Sequence, residues 1–361
     1  MHIATTAELK DFCHQISNSP FITIDTEFFR EVTYYPKLCI IQVANQDRAV
    51  IIDALNKQLD LTVLNDVLQN ENIVKVFHSG KQDLEILYHL YGELPKNIFD
   101  TQIAASFCGY GAVVGYESLV LEIVNQTIDK SYCVSDWSRR PLNDKQVDYA
   151  LADVTHLRDI YIFLSKKLKE NNHYNWAMED IKNLNSVNNF IIDPNQAWRK
   201  VKNTKGLKIT SLLKKLAAWR ELKAQEHNLP RNHYLHENHI LKLIEKMPLT
   251  LEELRMIPSL RKIDDPAAKE VLKIIKETLQ SNDNLDHEHS YIHPASNRLI
   301  ALLKDLLETL AQKHNIPNRL IATNSDLKMI CNTDNIAKPL LGWRNDIFGK
   351  EALKHKANYI R

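Results

Sequence analysis

Asp25 and Glu27 stand two apart in the run Phe21-Ile-Thr-Ile-Asp25, which continues Thr26-Glu27-Phe28. On a β-strand, residues two apart point to the same side, so both carboxylates share one face at the mouth of an apolar element. Like charges at that spacing repel, and burial would raise their pKa values. A divalent cation is the usual remedy; a solvated strand end accounts for the pair equally well when it is taken alone. Asp83 falls in the first turn of the helix expected after Phe77-His78-Ser79. There the helix dipole stabilises an acid by roughly 0.3–1 kcal/mol, which explains it without chemistry. Tyr149 and Asp153 are four apart, hence on one face of a helix, with the small Ala150 and Ala152 between them.

These residues need elements to position them. Residues 21–25, 38–44 and 49–52 are β-rich runs separated by polar loops, and connections this short favour antiparallel neighbours. Residues 73–77 form a fourth strand, followed by a helical pattern in which Ser79 and Gln82 are spaced as a capping box. Helical segments follow near 101–108 and 117–124. A longer helix begins after Pro141, with Asn143 and Gln146 at its cap, and runs to about Lys169. Residues 171–190, with Asp193-Pro194 and the basic run Arg199 to Lys208 that follow, read together as the end of the first domain plus a connector. From 209 onward the pattern is helical.

At 361 residues the chain is too long for one typical domain. Its composition is that of a globular protein, with 44% hydrophobic and 25% charged residues, so bulk disorder is excluded. No apolar run reaches the ~18 residues of a membrane span, and the N-terminus has no basic-then-apolar signal pattern. The five cysteines form no CxxC pair, which argues against a disulfide framework or zinc module and fits a reducing cytoplasm. No GxGxxG or GxxxxGK[ST] run is present, so no nucleotide cofactor is expected. His287, His289 and His293 have metal-like spacing but no cysteine partners in a polar connector, and read as solvated. The net charge of +1 conceals an asymmetry: residues 1–190 carry 17 Lys+Arg against 25 Asp+Glu, a net of −8, and residues 191–361 carry 29 against 20, a net of +9. A basic half is a handle for a polyanion, and two surfaces that drifted apart in charge account for the numbers as well.

The helical half repeats itself. A shift of 87 residues matches Glu221, Ala224, Gln225, His227, Asn228 and Pro230 with Glu308, Ala311, Gln312, His314, Asn315 and Pro317. Six identities in ten positions indicate two copies of one small helical module, and repetition suits binding by multiplying weak contacts.

In this order the motifs resemble the DEDD superfamily of 3′-5′ exonucleases, in its tyrosine-bearing subgroup, and within it the ribonuclease D family. The likeness rests on Ile24-Asp-Thr-Glu-Phe28, on Val76-Phe-His-Ser-Gly-Lys-Gln-Asp83-Leu, on Ser135-Asp-Trp-Ser-Arg-Arg-Pro-Leu142 and on Tyr149-Ala-Leu-Ala-Asp-Val154. Ala218-Trp-Arg220, Asn228-Leu-Pro-Arg231 and Leu249 to Leu254 resemble the HRDC module, a small nucleic-acid-binding bundle. The second copy is looser, with Leu306 in place of Trp219. The resemblance implies an α/β, ribonuclease H-like exonuclease domain with a mixed sheet over 1–190. Two all-α HRDC-type bundles then follow, at 207–287 and 295–361.

It also implies two divalent cations, Mg²⁺ or Mn²⁺, held by Asp25, Glu27, Asp83 and Asp153. Asp25, Glu27 and Asp153 would hold the nucleophile-side ion, Asp25 would reach the second, and Asp83 would do so through water. Tyr149 would orient the attacking water. Such an enzyme releases nucleoside 5′-monophosphates from the 3′ ends of structured RNA, transfer RNA precursors with single-stranded ends above all, and is expected to be a cytoplasmic monomer with no membrane partner. Phe28, His78, Trp137, Arg140, Trp219, Arg220 and Arg231 are candidates for substrate contact, each with a structural role as the alternative. Arg139 beside Trp137 and Arg140 belongs to the same candidate phosphate contact. DNA as the substrate keeps the same chemistry, since no motif senses the 2′-OH. A non-catalytic RNA-binding scaffold would predict a lost carboxylate, and none is lost.

Overall fold

A computed structural model describes residues 2–132, 135–202, 211–261, 263–281, 294–332 and 337–360. His287, His289, His293, Cys133, and Lys205 and Lys208 of the basic run lie outside the described residues. The chain divides into two compact units. One comprises Met1–Phe29, Leu38–Phe190 and Ser290–Arg361, and the other Arg30–Lys37 and Ile191–His289.

The first unit is built on six strands: β1 (His2–Ile3), β2 (Phe21–Phe29), β3 (Lys37–Ala44), β4 (Ala49–Asp53), β5 (Val74–Phe77) and β6 (Ile98–Asp100). They lie in the order β1-β4-β3-β2-β5-β6. β3 and β4 are antiparallel, as their short connection requires. Asn45 closes that turn, its side-chain oxygen accepting from the Asp47 and Arg48 amides at 3.1 and 2.9 Å. β1–β4, β2–β5 and β5–β6 are parallel, so the sheet is mixed. Parallel neighbours need long crossovers, and helices supply them: α1 (Thr6–Ile16), α2 (Thr62–Gln69) and α3 (Lys81–Tyr91). α4 (Thr101–Ser106), α5 (Tyr116–Leu119), α6 (Asp144–Glu170) and α7 (Tyr174–Leu184) follow.

α6 starts where its capping pair predicts, with Asn143 and Gln146 satisfying each other's amides. It buries Ala150, Val154, Leu157, Ile160, Leu164 and Leu168 along one stripe. Two local expectations are corrected. β2 runs four residues further than 25, so Glu27 lies within the strand and not beyond it. α3 has no side-chain cap from Ser79; its N-cap is Gly80, whose amide is taken by Asp100 from another element. The 171–190 stretch closes the first unit at Phe190, and it contains a helix the sequence pattern did not indicate: α7 buries Ala177 and Ile181 in the same core.

The second unit holds α8 (Ser211–Glu226), α9 (Arg231–Tyr234), α10 (Glu237–Lys246), α11 (Leu251–Met256) and α12 (Asp265–Gln280). They enclose Leu212, Leu216, Ile240, Leu243, Leu254 and Val271. A polar knot crosses this unit. The Glu221 carboxylate is fully buried and accepts from the Arg231 guanidinium and the Tyr34 hydroxyl. Gln225 donates to that hydroxyl at 3.1 Å, and the Asn228 side-chain oxygen accepts from the Tyr34 and Tyr35 amides. Residues 30–37 are thereby fastened into the helical unit. Arg231 and Tyr34 keep the Glu221 carboxyl below its ordinary range despite its burial.

The second helical copy belongs to the first unit: α13 (Pro294–His314), α14 (Asn318–Ile321), α15 (Asn324–Asn332), α16 (Gly342–Arg344) and α17 (Lys350–Ile360). The repeat is visible in the backbone. Asn228 and Asn315 both take a φ of 49°. The residue after each bonds back into its helix, Leu229 to Ala224 at 2.9 Å and Ile316 to Ala311 at 3.1 Å. The copies differ in what they bury. Arg220 is replaced by the apolar Leu307, and Arg231 by Asn318. The second copy instead packs on α7: Trp343 stacks on Trp176 with centroids 5.0 Å apart, and Arg344 grips Asp180 through two bonds of 2.6 Å. Gly342 sits so close to Glu179 that a Cβ there would lie 1.6 Å from a carboxylate oxygen.

Removing one member of a buried ionic group strands the other, so Glu221→Ala should lower stability by about 3 kcal/mol. Urea denaturation should show an earlier midpoint for Glu221→Ala, and an unmoved midpoint would mean the knot contributes nothing.

Candidate active site

The register between β2 and β5 places the first carboxylate. Thr23 pairs with Val76, so Asp25 lies level with the chain just beyond the end of β5 at Phe77. The carboxyl ends of parallel strands are where open α/β sheets leave a crevice. After β5 the chain turns sharply through Ser79, with φ of 55°, and Gly80. A side chain at Gly80 would bring its Cβ within 2.5 Å of the Phe77 Cβ, so only glycine fits. Asp100 at the end of β6 accepts from the Gly80 amide at 2.8 Å and caps α4 through the Ile103 amide at 3.0 Å. This pins the start of α3 and with it Asp83. The Thr26 hydroxyl donates to Asp83 directly across from β2.

Asp153 reaches the same place from α6. The Thr23 hydroxyl donates to the Val154 carbonyl at 2.7 Å. The Tyr116 hydroxyl lies 3.0 and 2.8 Å from the carbonyls of Ala152 and Asp153. Buried hydroxyls on two separate elements thus hold three successive carbonyls of α6 against the sheet.

Carboxylate oxygens of Asp25, Glu27 and Asp153 lie within 4.8 Å of one another. They line a cavity of about 280 Å³ with Thr26, His78, Tyr116, Tyr149 and Leu157. Among the described residues lining it there is no lysine or arginine. Burial, reinforced by Asp83, Asp153 and Glu27, pushes the Asp25 carboxyl well above the ordinary range. Burial, with Asp153 and Asp83, pushes Glu27 up to about 9. Burial raises Asp153 to about 7, against a hydrogen bond from Tyr149 that lowers it. Asp83 is buried, and burial raises it to about 6 against the Thr26 hydrogen bond. Asp25, Glu27 and Asp153 form a donor set of hard oxygens that fits a divalent metal ion, which would replace the protons this cluster otherwise retains, while Asp83 lies outside that group and does not line the cavity.

The remaining sequence candidates are placed as follows. Phe28 is half-buried at the end of β2. His78 lines the cavity, with Nδ1 3.0 Å from the Thr101 hydroxyl, and burial lowers it to about 4, so it is neutral. Trp137 is buried, its ring 6.1 Å from that of Tyr149. Arg140 is held by Asp53 through bonds of 2.6 and 2.7 Å and by the Cys39 carbonyl at 3.0 Å. Trp219 donates to Glu270, Arg220 is 2% exposed and donates to the Leu235 carbonyl, and Arg231 is held by Glu221. The structure therefore employs Trp137, Arg140, Trp219, Arg220 and Arg231 inside the fold. Sequence reading missed Asp100, Thr23, Thr26 and Tyr116. Asp100-Thr-Gln-Ile103 has the pattern of an N-cap and could have been found. The three hydroxyls act across the fold and leave no local signal.

The sheet, its carboxylate cluster and the helical bundles define a class, and comparison with known proteins agrees. Residues 1–169 match the 3′-5′ exonuclease family, and residues 210–275 match the HRDC domain. The chain is 39% identical to ribonuclease D of Bartonella henselae over 97% of this chain and 88% of that one. It is likewise 39% identical to ribonuclease D of Jannaschia sp., over 98% and 94%. The crystal structure of Escherichia coli RNase D matches 99% of each chain at a TM-score of 0.89 and 28% identity. The chain belongs to the ribonuclease D family, hydrolytic 3′-5′ exoribonucleases that use divalent metal ions. Among the described residues no helix is long and apolar enough to cross a membrane.

The raised carboxyl groups fix a sign. Ordinary carboxyls ionise near pH 4, whereas Asp83, Asp153 and Glu27 hold protons to about 6, 7 and 9 in the fold. Between those limits the native state binds more protons than the unfolded one, so stability falls as pH rises. Metal-free protein should show a Tm that declines from pH 6 to 9, with Mg²⁺ or Mn²⁺ restoring more at pH 9 than at pH 6. A metal-free Tm that instead rises across that window would contradict the shared site.

Proposed function

We propose that this chain trims the 3′ ends of structured RNA, transfer RNA precursors in particular, releasing nucleoside 5′-monophosphates. It would act as a cytoplasmic monomer with two Mg²⁺ or Mn²⁺ ions. The observation that carries this reading is the cluster of Asp25, Glu27 and Asp153, with Asp83 nearby and Tyr149 bonded to Asp153, facing a cavity with no basic lining among the described residues. When bound, the cations supply Lewis acidity at the attacking and leaving oxygens of an in-line displacement. Asp25, Glu27 and Asp153 would hold the ion on the nucleophile side. Asp25 would also reach the second, with Asp83 contributing through water.

Tyr149 would orient the attacking water by hydrogen bonding, since a phenol, which ordinarily ionises near 10, is a poor base at neutral pH. Leu157 and the Tyr116 ring wall the cavity and limit the water that reaches it. Residues 1–190 would carry the catalysis. The helical stretches 207–287 and 295–361 would hold the folded body of the RNA while its single-stranded end enters. The E. coli protein that this chain matches is described as an exoribonuclease involved in structured RNA processing, which supports that choice of substrate.

Asp25→Ala should abolish release of mononucleotides in Mg²⁺ while RNA binding by gel shift survives; residual degradation by the purified variant would remove the site assignment. Tyr149→Phe should slow turnover by roughly 10–100-fold through lost orientation, with metal affinity little changed. Equal losses of turnover and metal affinity would make Tyr149 a structural residue.

A further inference from the structure

A second cavity, of about 330 Å³, lies within the first unit between the start of α3, α7 and the last helical copy. Four cations border it: Lys81, Arg319, Lys338 and Arg344. One carboxylate, Asp180, faces them, and both of its oxygens are already taken by Arg344. Lys81, Arg319 and Lys338 make no ion pair among the described residues; the next acid near Lys338 is Asp326, which accepts from the Thr323 amide and hydroxyl. Lys338 is an exposed residue, yet desolvation around its ammonium, then the Arg344 charge, holds it below its ordinary range, with Asp180 and Asp326 opposing the shift. Arg344 is 2% exposed and locked by Asp180 and by the Leu320 carbonyl at 2.6 Å, which gives the cavity a rigid floor.

Lys81 is the first residue of α3, the helix that carries Asp83 two positions later. The cavity therefore opens beside an element of the acidic site, and the positive end of an eleven-residue helix adds to its field. We propose that this cavity is a phosphate subsite, in which Arg319 and Lys338, backed by Arg344 and Lys81, hold the sugar–phosphate backbone of RNA whose 3′ end lies at the carboxylates. The inference rests on the exonuclease reading for its ligand, and on charge and geometry for its place.

The test uses the full chain carrying Asp25→Ala, so that RNA is bound but not consumed, with and without Arg319→Ala and Lys338→Ala. Fluorescence anisotropy with a hairpin RNA bearing a single-stranded 3′ tail reads the affinity. The double change should weaken binding about tenfold at low salt and reduce the slope of log affinity against log salt by about 1.5, as expected for two lost phosphate contacts. Arg319→Lys with Lys338→Arg should restore binding, because charge and not shape is the requirement. Affinity unchanged by the double Ala substitution, or lost equally in the charge-preserving pair, overturns the proposal. In otherwise unaltered enzyme, the same double Ala change should raise KM for the tailed hairpin and leave a dinucleotide unaffected. A dinucleotide impaired to the same degree also overturns it. Failure of the exonuclease reading would appear separately, as absence of any cleavage by the unaltered protein.

Discussion

Four carboxyl groups brought into one partly desolvated place repel one another, and much of the first unit is arranged to hold them there. None of the local elements would do so by propensity alone. Asp25 and Glu27 share a strand face because side chains alternate, which costs nothing extra in design. Asp83 and Asp153 come from helices and must be drawn in. Thr26 bonds the first; Thr23 and Tyr116 bond the backbone that carries the second. Asp100 fixes the turn between β5 and α3, and Gly80 lets that turn pass Phe77. Burial first, and mutual repulsion second, raise the carboxyls, an arrangement that divalent ions would turn into a binding site.

The two helical copies show how one module can be adapted to different settings. The first closes around a polar knot of Glu221, Arg231 and Tyr34, taking residues 30–37 into its own unit. That segment follows directly on β2, so the strand with Asp25 and Glu27 leads into a helical anchor. The second copy exchanges the buried arginine for Leu307 and merges with the exonuclease core through Trp343 and Arg344. The Asn-aliphatic-Pro turn is common to both, held by the same left-handed asparagine. Sequence identity concentrated at that turn because backbone geometry is what the copies must keep.

The candidate carboxylate cluster was legible because its spacing is local: i,i+2 on a strand, i,i+4 on a helix, an acid in a first turn. The cap of α6 was legible for the same reason. The cap of α3 was misread, since Ser79 and Gln82 have the right spacing while the actual acceptor, Asp100, arrives from β6. α7 was missed because its sequence is asparagine-rich and its partners, Trp343 on Trp176 and Arg344 on Asp180, lie far along the chain. Trp219, Arg220 and Arg231 look like nucleic-acid contacts in sequence, where a cation's buried acidic partner is invisible. Buried Glu221 is that partner for Arg231, while the Leu235 carbonyl holds Arg220 and Glu270 accepts from the Trp219 indole.

Counting the ions is the most direct test of this account. Calorimetric titration of the metal-free protein with Mn²⁺ at pH 7.5, in two buffers of different ionisation heat, gives both stoichiometry and proton release. The account predicts two ions per chain, taken up with expulsion of protons from the carboxyl cluster, and loss of that uptake in Asp25→Asn. Uptake that expels no protons, or that Asp25→Asn leaves intact, would contradict it.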